Sequence, residues 1–264
     1  MRNTNIELYL KYSNNQQGYE EIYQRSFNEL LQEIELEFSI LSLKELMEIY
    51  LYYSKPNRLK KNYMNNLLIL IYEIITERLS QFKSIDVVDN YVELCNSIIA
   101  LNDNIQSYQN IIQVRTYNLE DDFFLSNQAT RSHKSIEKFI KNYQEEIETF
   151  KDILDVAKSS NNYLEKLKLN IQDYLDSLVN NLTEEEKKEL IQEINKRIDV
   201  HSQKLLYQKR LLSNKKVFDI EMRLSNIDTS NIQEKFDFSS SKNKLAVYED
   251  CRNKLINKTK KSGI

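Results

Sequence analysis

Glycine and proline are nearly missing: 264 residues hold two Gly and one Pro, and no glycine lies between Gly18 and Gly263. Hairpin-rich β folds need Gly, Pro, Asn and Asp at their turns, and nucleotide-binding α/β folds need glycine where backbone touches a phosphate. An all-α fold is what remains. Histidine occurs twice, as His133 and His201, and no Glu-x-x-His or His-Glu-x-x-His pattern appears. That leaves little for a helical metal centre or for His-based catalysis, so no metal and no cofactor is expected. The two cysteines, Cys95 and Cys251, stand at no metal or redox spacing and suit a reducing compartment. The N-terminus lacks the apolar stretch of a secretory signal. The longest apolar run, 67–72, falls far short of the roughly 20 residues that span a bilayer. A cytoplasmic protein without a transmembrane segment is the expectation. A net charge of -3 gives no global electrostatic case for nucleic acid or an anionic membrane.

What the chain does have is a long heptad pattern over residues 136–182. Apolar residues recur at steps of three and four, and only Asn161 and Lys168 break the rule. A period near 3.5 held over several heptads predicts one continuous helix presenting a stripe to partner helices. The flanking positions Phe139, Ile153, Leu167 and Tyr174 are apolar as well. They widen the stripe beyond a two-stranded seam and point to a bundle of three or more helices. The candidate interface toward a protein partner or a second copy comprises Ile140, Tyr143, Ile147, Phe150, Leu154, Asn161, Leu164, Lys168, Ile171 and Leu175. Asn161 and Lys168 are expected to set the pairing by finding polar partners, at a cost in stability.

Before the seam, residues 1–116 read as a helical bundle. A short helix near 5–11 comes first, then a longer helical pattern interrupted at Ser26. Ser42-Leu43-Lys44-Glu45 is a capping box that starts a helix ending before Pro56. Residues 67–75 are apolar around nearly the whole circumference and are expected to be buried on all sides. Ser84 is placed as the cap of a further helix, with a joint at 102–104. Residues 117–135 form the connecting loop. Asn180-Asn181 is read as a left-handed helix stop, and Thr183-Glu184-Glu185-Glu186 as an immediate capping-box restart. So short a connection makes 136–224 an antiparallel hairpin, followed by a loop and a basic C-terminal helix and tail over 225–264.

Two short patterns resemble known chemistry in part. Arg197-Ile198-Asp199-Val200-His201 resembles the Arg–His pair with which helical HEPN ribonucleases act on RNA phosphate. The gap is wider in those enzymes; here three residues intervene, placing Arg197 and His201 one turn apart on one face. Asp121-Asp122-Phe123-Phe124 resembles the start of the acidic motif that holds magnesium diphosphate in terpene synthases. Leu125 occupies the place of its third acid, so the reading preferred here is a loop with an amphipathic edge, or one that docks its Phe pair into a neighbour. The C-terminal basic residues, from Lys242 to Lys261, could meet an anionic partner such as nucleic acid or lipid.

The function expected from these features is a non-enzymatic helical scaffold or interaction protein, acting through the 136–224 hairpin in a homo- or hetero-oligomer. The alternative is a nucleic-acid-binding or HEPN-like ribonuclease-type factor using Arg197 and His201. A membrane-acting helical toxin built on the 67–75 stretch is a third, weaker reading.

Overall fold

The computed structural model describes residues 4–56, 63–121, 124–125, 136–213 and 238–261. The expected loops at 126–135 and 225–237 and the end of the hairpin at 214–224 lie outside these residues. Among the described residues every regular element is helical: α1 (Thr4–Tyr12), α2 (Gln16–Tyr23), α3 (Phe27–Ser39), α4 (Leu43–Tyr53), α5 (Tyr63–Arg78), α6 (Ser84–Glu120), α7 (Ile136–Asn181), α8 (Glu184–Ser213) and α9 (Phe238–Lys261), with a 3-10 turn at Leu79–Gln81. The fold is all-α: an N-terminal bundle, a long antiparallel hairpin and a C-terminal helix. None of the described helices is long and apolar enough to cross a membrane.

Local chemistry sets the helix ends. Ser42 accepts from the Glu45 N–H, while Glu45 accepts from the Ser42 N–H at 3.0 Å. Those bonds hold the Glu45 carboxyl below its usual range. Thr183 and Glu186 repeat the arrangement at the start of α8. Ser26 does the same with Glu29, so the interruption noted at Ser26 is a helix boundary and α2 and α3 are separate. Gln24 alone among the described non-glycine residues has a positive φ, 52°, and closes α2. The left-handed stop expected at Asn180-Asn181 is therefore not used. Leu182 N–H still bonds to Leu178 O at 3.0 Å, and the Thr183 box turns the chain directly into α8.

Four further expectations are corrected. Residue Ser84 is the first helical residue of α6, which follows Lys83 with no side-chain cap from Ser84. That helix runs unbroken through 102–104 and on to Glu120, four residues beyond the expected boundary at 116. Its fellow α5 is buried at Leu67, Leu68, Ile71 and Ile75, yet Ile69 is 43% exposed. All-round apolarity does not guarantee all-round burial, because a helix at the edge of a bundle keeps one face in water. The C-terminal helix begins at Phe238.

The helices pack into two compact units, and both α6 and α7 contribute to each. The first unit comprises residues 1–77 and 98–167. Tyr19, fully buried, lies at its N-terminal centre, with ring centroids 5.0 Å from Tyr23 and 5.4 Å from Phe27. Its hydroxyl accepts from Arg25 Nε, and Arg25 also pairs with Glu33 at 2.6 Å. The second unit comprises residues 78–97 and 168–264. There Val88 and Val92 of α6, Val179 of α7, Leu190, Ile194 and Ile198 of α8, and Tyr248 and Leu255 of α9 share one core.

Candidate functional site

Three helices of the second unit each bring a pair of polar side chains one turn apart to the same place. From α6 come Asp89 and Glu93, from α8 Arg197 and His201, and from α9 Lys244 and Tyr248. An i, i+4 spacing puts both members of each pair on one face. Asp89 is the hub. Its Oδ2 accepts from Arg197 Nε at 3.3 Å and Nη2 at 3.1 Å, and its Oδ1 accepts from the Tyr248 hydroxyl at 2.7 Å. Arg197 reaches Glu193 as well, at 3.6 Å, and Lys244 donates to Glu93 at 2.6 Å. The His201 ring stacks on Tyr248 with centroids 5.6 Å apart. The structure thus unites Arg197 and His201, the catalytic candidates, with partners distant in sequence: Asp89, 108 residues from Arg197, and Tyr248 of α9.

The protonation states follow from these contacts. The hydrogen bond from Arg197 to Asp89 strengthens the guanidinium's hold on its proton. Burial, and then the bond to Asp89, push the Tyr248 phenol well above its usual range. Burial first, then the charges of Lys244 and Lys204, push the His201 imidazole down. Its Nδ1 is buried without a hydrogen-bond partner. Asp89, Arg197 and Tyr248 are engaged with one another and Glu93 with Lys244, while His201 keeps its Nδ1 unpaired. The nearby cleft lined by Tyr91, Val179, Cys251 and Leu255 has 30 Å³ of space, room for a water rather than a substrate. Cys251 lies on that cleft with its thiol pushed up to about 12 by burial, and so stays protonated at neutral pH. Among the described residues no three His, Cys, Asp or Glu side chains gather closely enough to hold a metal ion.

No known family, curated protein or solved structure matches this chain. The site is therefore read from its own geometry.

The predicted interface residues are placed as follows. Ile147, Leu154, Leu164 and Ile171 are buried within the chain itself, whereas Ile140, Tyr143, Phe150, Asn161, Lys168 and Leu175 are half-buried. α7 is continuous through Ser159-Ser160-Asn161-Asn162. Asn161 does not find the polar partner expected of it: its Oδ1 is buried and unpaired. The adjacent Ser160 makes the interhelical bond instead, donating from Oγ to Ser54 O at the end of α4. Close by, the Tyr50 hydroxyl donates to Tyr163 O at 2.9 Å.

The aromatic pair of the 121–124 stretch is half visible. Phe123 and Asp122 lie outside the described residues. Phe124 packs against Phe139 and Tyr143 at 6.2 and 6.4 Å, as a docked ring would. In the basic C-terminal helix, Tyr248 and Leu255 are buried, with Leu245 and Cys251 against the same core. Its lysines do not all stay in water. Lys244 is taken up by Glu93, Lys254 pairs with Asp250 at 3.2 Å, and Arg252 faces Asn195 at 3.5 Å.

The sequence pointed to Arg197 and His201 but not to Asp89, Glu93, Lys244 or Tyr248. Each of these pairs has only an i, i+4 spacing to mark it, and such spacings are common on any charged helix. Which of them meet is a tertiary fact.

Proposed function

We propose that this chain is a non-enzymatic helical scaffold or interaction protein of the cytoplasm, acting through the 136–224 hairpin in a homo- or hetero-oligomeric assembly. The observation that supports this reading is the polar cluster around Asp89: Asp89, Arg197 and Tyr248 bind each other across α6, α8 and α9 rather than facing a substrate. A group engaged in this way ties helices together. Ile147, Leu154, Leu164 and Ile171 of the α7 seam are buried within the chain, while the other predicted interface residues are half-buried, and the hairpin also offers more exposed apolar residues to a partner. Val200 and Tyr207, one heptad apart on α8, are 62% and 54% exposed. Exposed apolar side chains on one helix face are what a coiled-coil-like contact uses.

Cross-linking mass spectrometry on the natively purified full chain tests this. Lysines of the hairpin should link to a second copy or to another chain. Val200→Glu combined with Tyr207→Glu should remove those links with the melting temperature unchanged. RNA hydrolysis by the wild type that His201→Ala abolishes, with helix content retained, would replace this reading by the ribonuclease alternative.

A further inference from the structure

Polar contacts at matched steps seat α9 on α6 and α8. Asp89 and Glu93 of α6 meet Tyr248 and Lys244 of α9 at 2.7 and 2.6 Å, so one turn up the first helix answers one turn down the second. On α8, His201 stacks on Tyr248, and Asn195 accepts from Arg252 at 3.5 Å. Complementary groups of this kind fix the direction and register of a docked helix. Beneath them, Tyr248 and Leu255 share a core with Val92 and Ile194. The seat is therefore built for one particular helix.

The length of the connection lets that seat be filled from another chain. Helices packed side by side are commonly joined by about 2–8 residues. Here α8 ends at Ser213 and α9 begins at Phe238, and residues 214–237 place 24 between them. A chain of that length can span up to roughly 80 Å, several times the ~10 Å between packed helices. Effective concentration falls as a connection grows, so a long one gives the chain's own helix less advantage over a second copy's. The docking is also incomplete. His201 Nδ1 on α8 and Arg252 Nε on α9 are buried without a hydrogen-bond partner, and such atoms weaken the hold of the helix.

We propose that two copies of the chain exchange α9, each docking its last helix on α6 and α8 of the other. The inference rests on the reading of the chain as a helical protein that assembles through its hairpin. It names the second copy as the partner and α9 as the part that copy contributes. Seat and occupant are both present in every copy, and the contacts are the same within a chain or between chains. Association at the hairpin brings the second seat as near as the first, so the exchange needs proximity and no new contact. Each copy gives one helix and takes one, which closes the pair about a two-fold axis.

Zero-length amine-to-carboxylate coupling on the full chain reads the exchange directly, because Lys244 Nζ and Glu93 Oε1 lie 2.6 Å apart. Unlabelled and heavy-isotope-labelled protein are unfolded together, refolded at near-millimolar concentration, separated by size and coupled. In the dimer fraction about half of the links between Glu93 and Lys244 should join a light peptide to a heavy one, the share that random pairing in a two-fold dimer gives. Charge exchange supplies a second reading. Glu93→Lys and Lys244→Glu each set like charges against one another, whereas an exchanged pair of the two variants has opposite charges at both seats. Their equimolar mixture should dimerise about tenfold or more tightly than either variant alone. A wild type that stays monomeric, dimers whose Glu93–Lys244 links are all isotopically pure, or a mixture no tighter than its components would each overturn the exchange. The hairpin proposal keeps its own assay, because its cross-links are read against Val200 and Tyr207, which are exposed and lie outside the seat of α9.

Discussion

Replacing Asp89 with alanine should cost more stability than its surface position suggests. The carboxylate side chain is 30% exposed and the Arg197 side chain 36%. Solvent screens such a pair, which makes the ion pair itself worth about 1 kcal/mol or less. The larger loss is at Tyr248, which is 5% exposed and has Asp89 Oδ1 as its hydroxyl partner. A buried hydroxyl left without a partner costs about 1–3 kcal/mol. Together these give an expected destabilisation for Asp89→Ala of about 2–3 kcal/mol, or a fall in melting temperature of roughly 5–10 °C. Tyr248→Phe removes the donor as well as its need for an acceptor. Asp89 then keeps Arg197 and can reach water, so the loss should be about 1 kcal/mol. In the double variant the two effects should not add, since both delete one hydrogen bond. Urea unfolding followed by far-ultraviolet circular dichroism measures all three. If Asp89→Ala costs under about 0.5 kcal/mol, the range of an ordinary surface substitution, the polar triad holds nothing and α9 docks through its apolar face alone.

Two further outcomes follow from unpartnered atoms. His201 has its pKa lowered by burial and by Lys244 and Lys204; its neutral form is favoured in the fold. That stability is complete above the unfolded histidine value of about 6.5 and is lost as pH falls from there toward the lower folded value. His201→Leu should flatten this acid-side decline in melting temperature, and an unchanged decline would show that other groups cause it. Asn161→Leu removes a buried Oδ1 that has no partner and should stabilise the protein by about 1 kcal/mol in thermal melts. A lower melting temperature would mean that the site cannot accept the larger apolar side chain.

The parts of this fold that were legible in the sequence are those whose cause lies within one or two turns. The Ser42 and Thr183 boxes are each complete within four residues, and both appear where their pattern placed them. Ser26-Phe27-Asn28-Glu29 has the same spacing and the same bonds, so the boundary between α2 and α3 was equally readable and was obscured by the apolar face running across it. The Arg197/His201 pair was legible as neighbours on one helix face. Its meaning was not, because it depends on Asp89, 108 residues away, and on Tyr248. An i, i+4 pair tells which side chains travel together, and only packing tells which other pair they meet. Ile69 shows the same limit for burial: its neighbours in the chain are as apolar as those of Leu68, but it faces out.

The heptad seam carries this argument furthest. A period of 3.5 over α7 states that one face is apolar for 46 residues, and it is silent about what that face covers. The face serves two cores: Leu167 is fully buried in the first unit, and Lys168 is the first residue that α7 gives to the second. The other polar interruption, Asn161, sits beside a helix end. Near Asn161 the helix keeps Ala157 and Leu164 buried on either side. It meets the end of α4, whose last carbonyls lack intrahelical donors. Ser160 supplies one such donor to Ser54 O, and Tyr50 returns a bond to Tyr163 O. It is Ser160, beside the seam, that answers the helix end opposite, while Asn161 in the seam keeps an unpaired Oδ1.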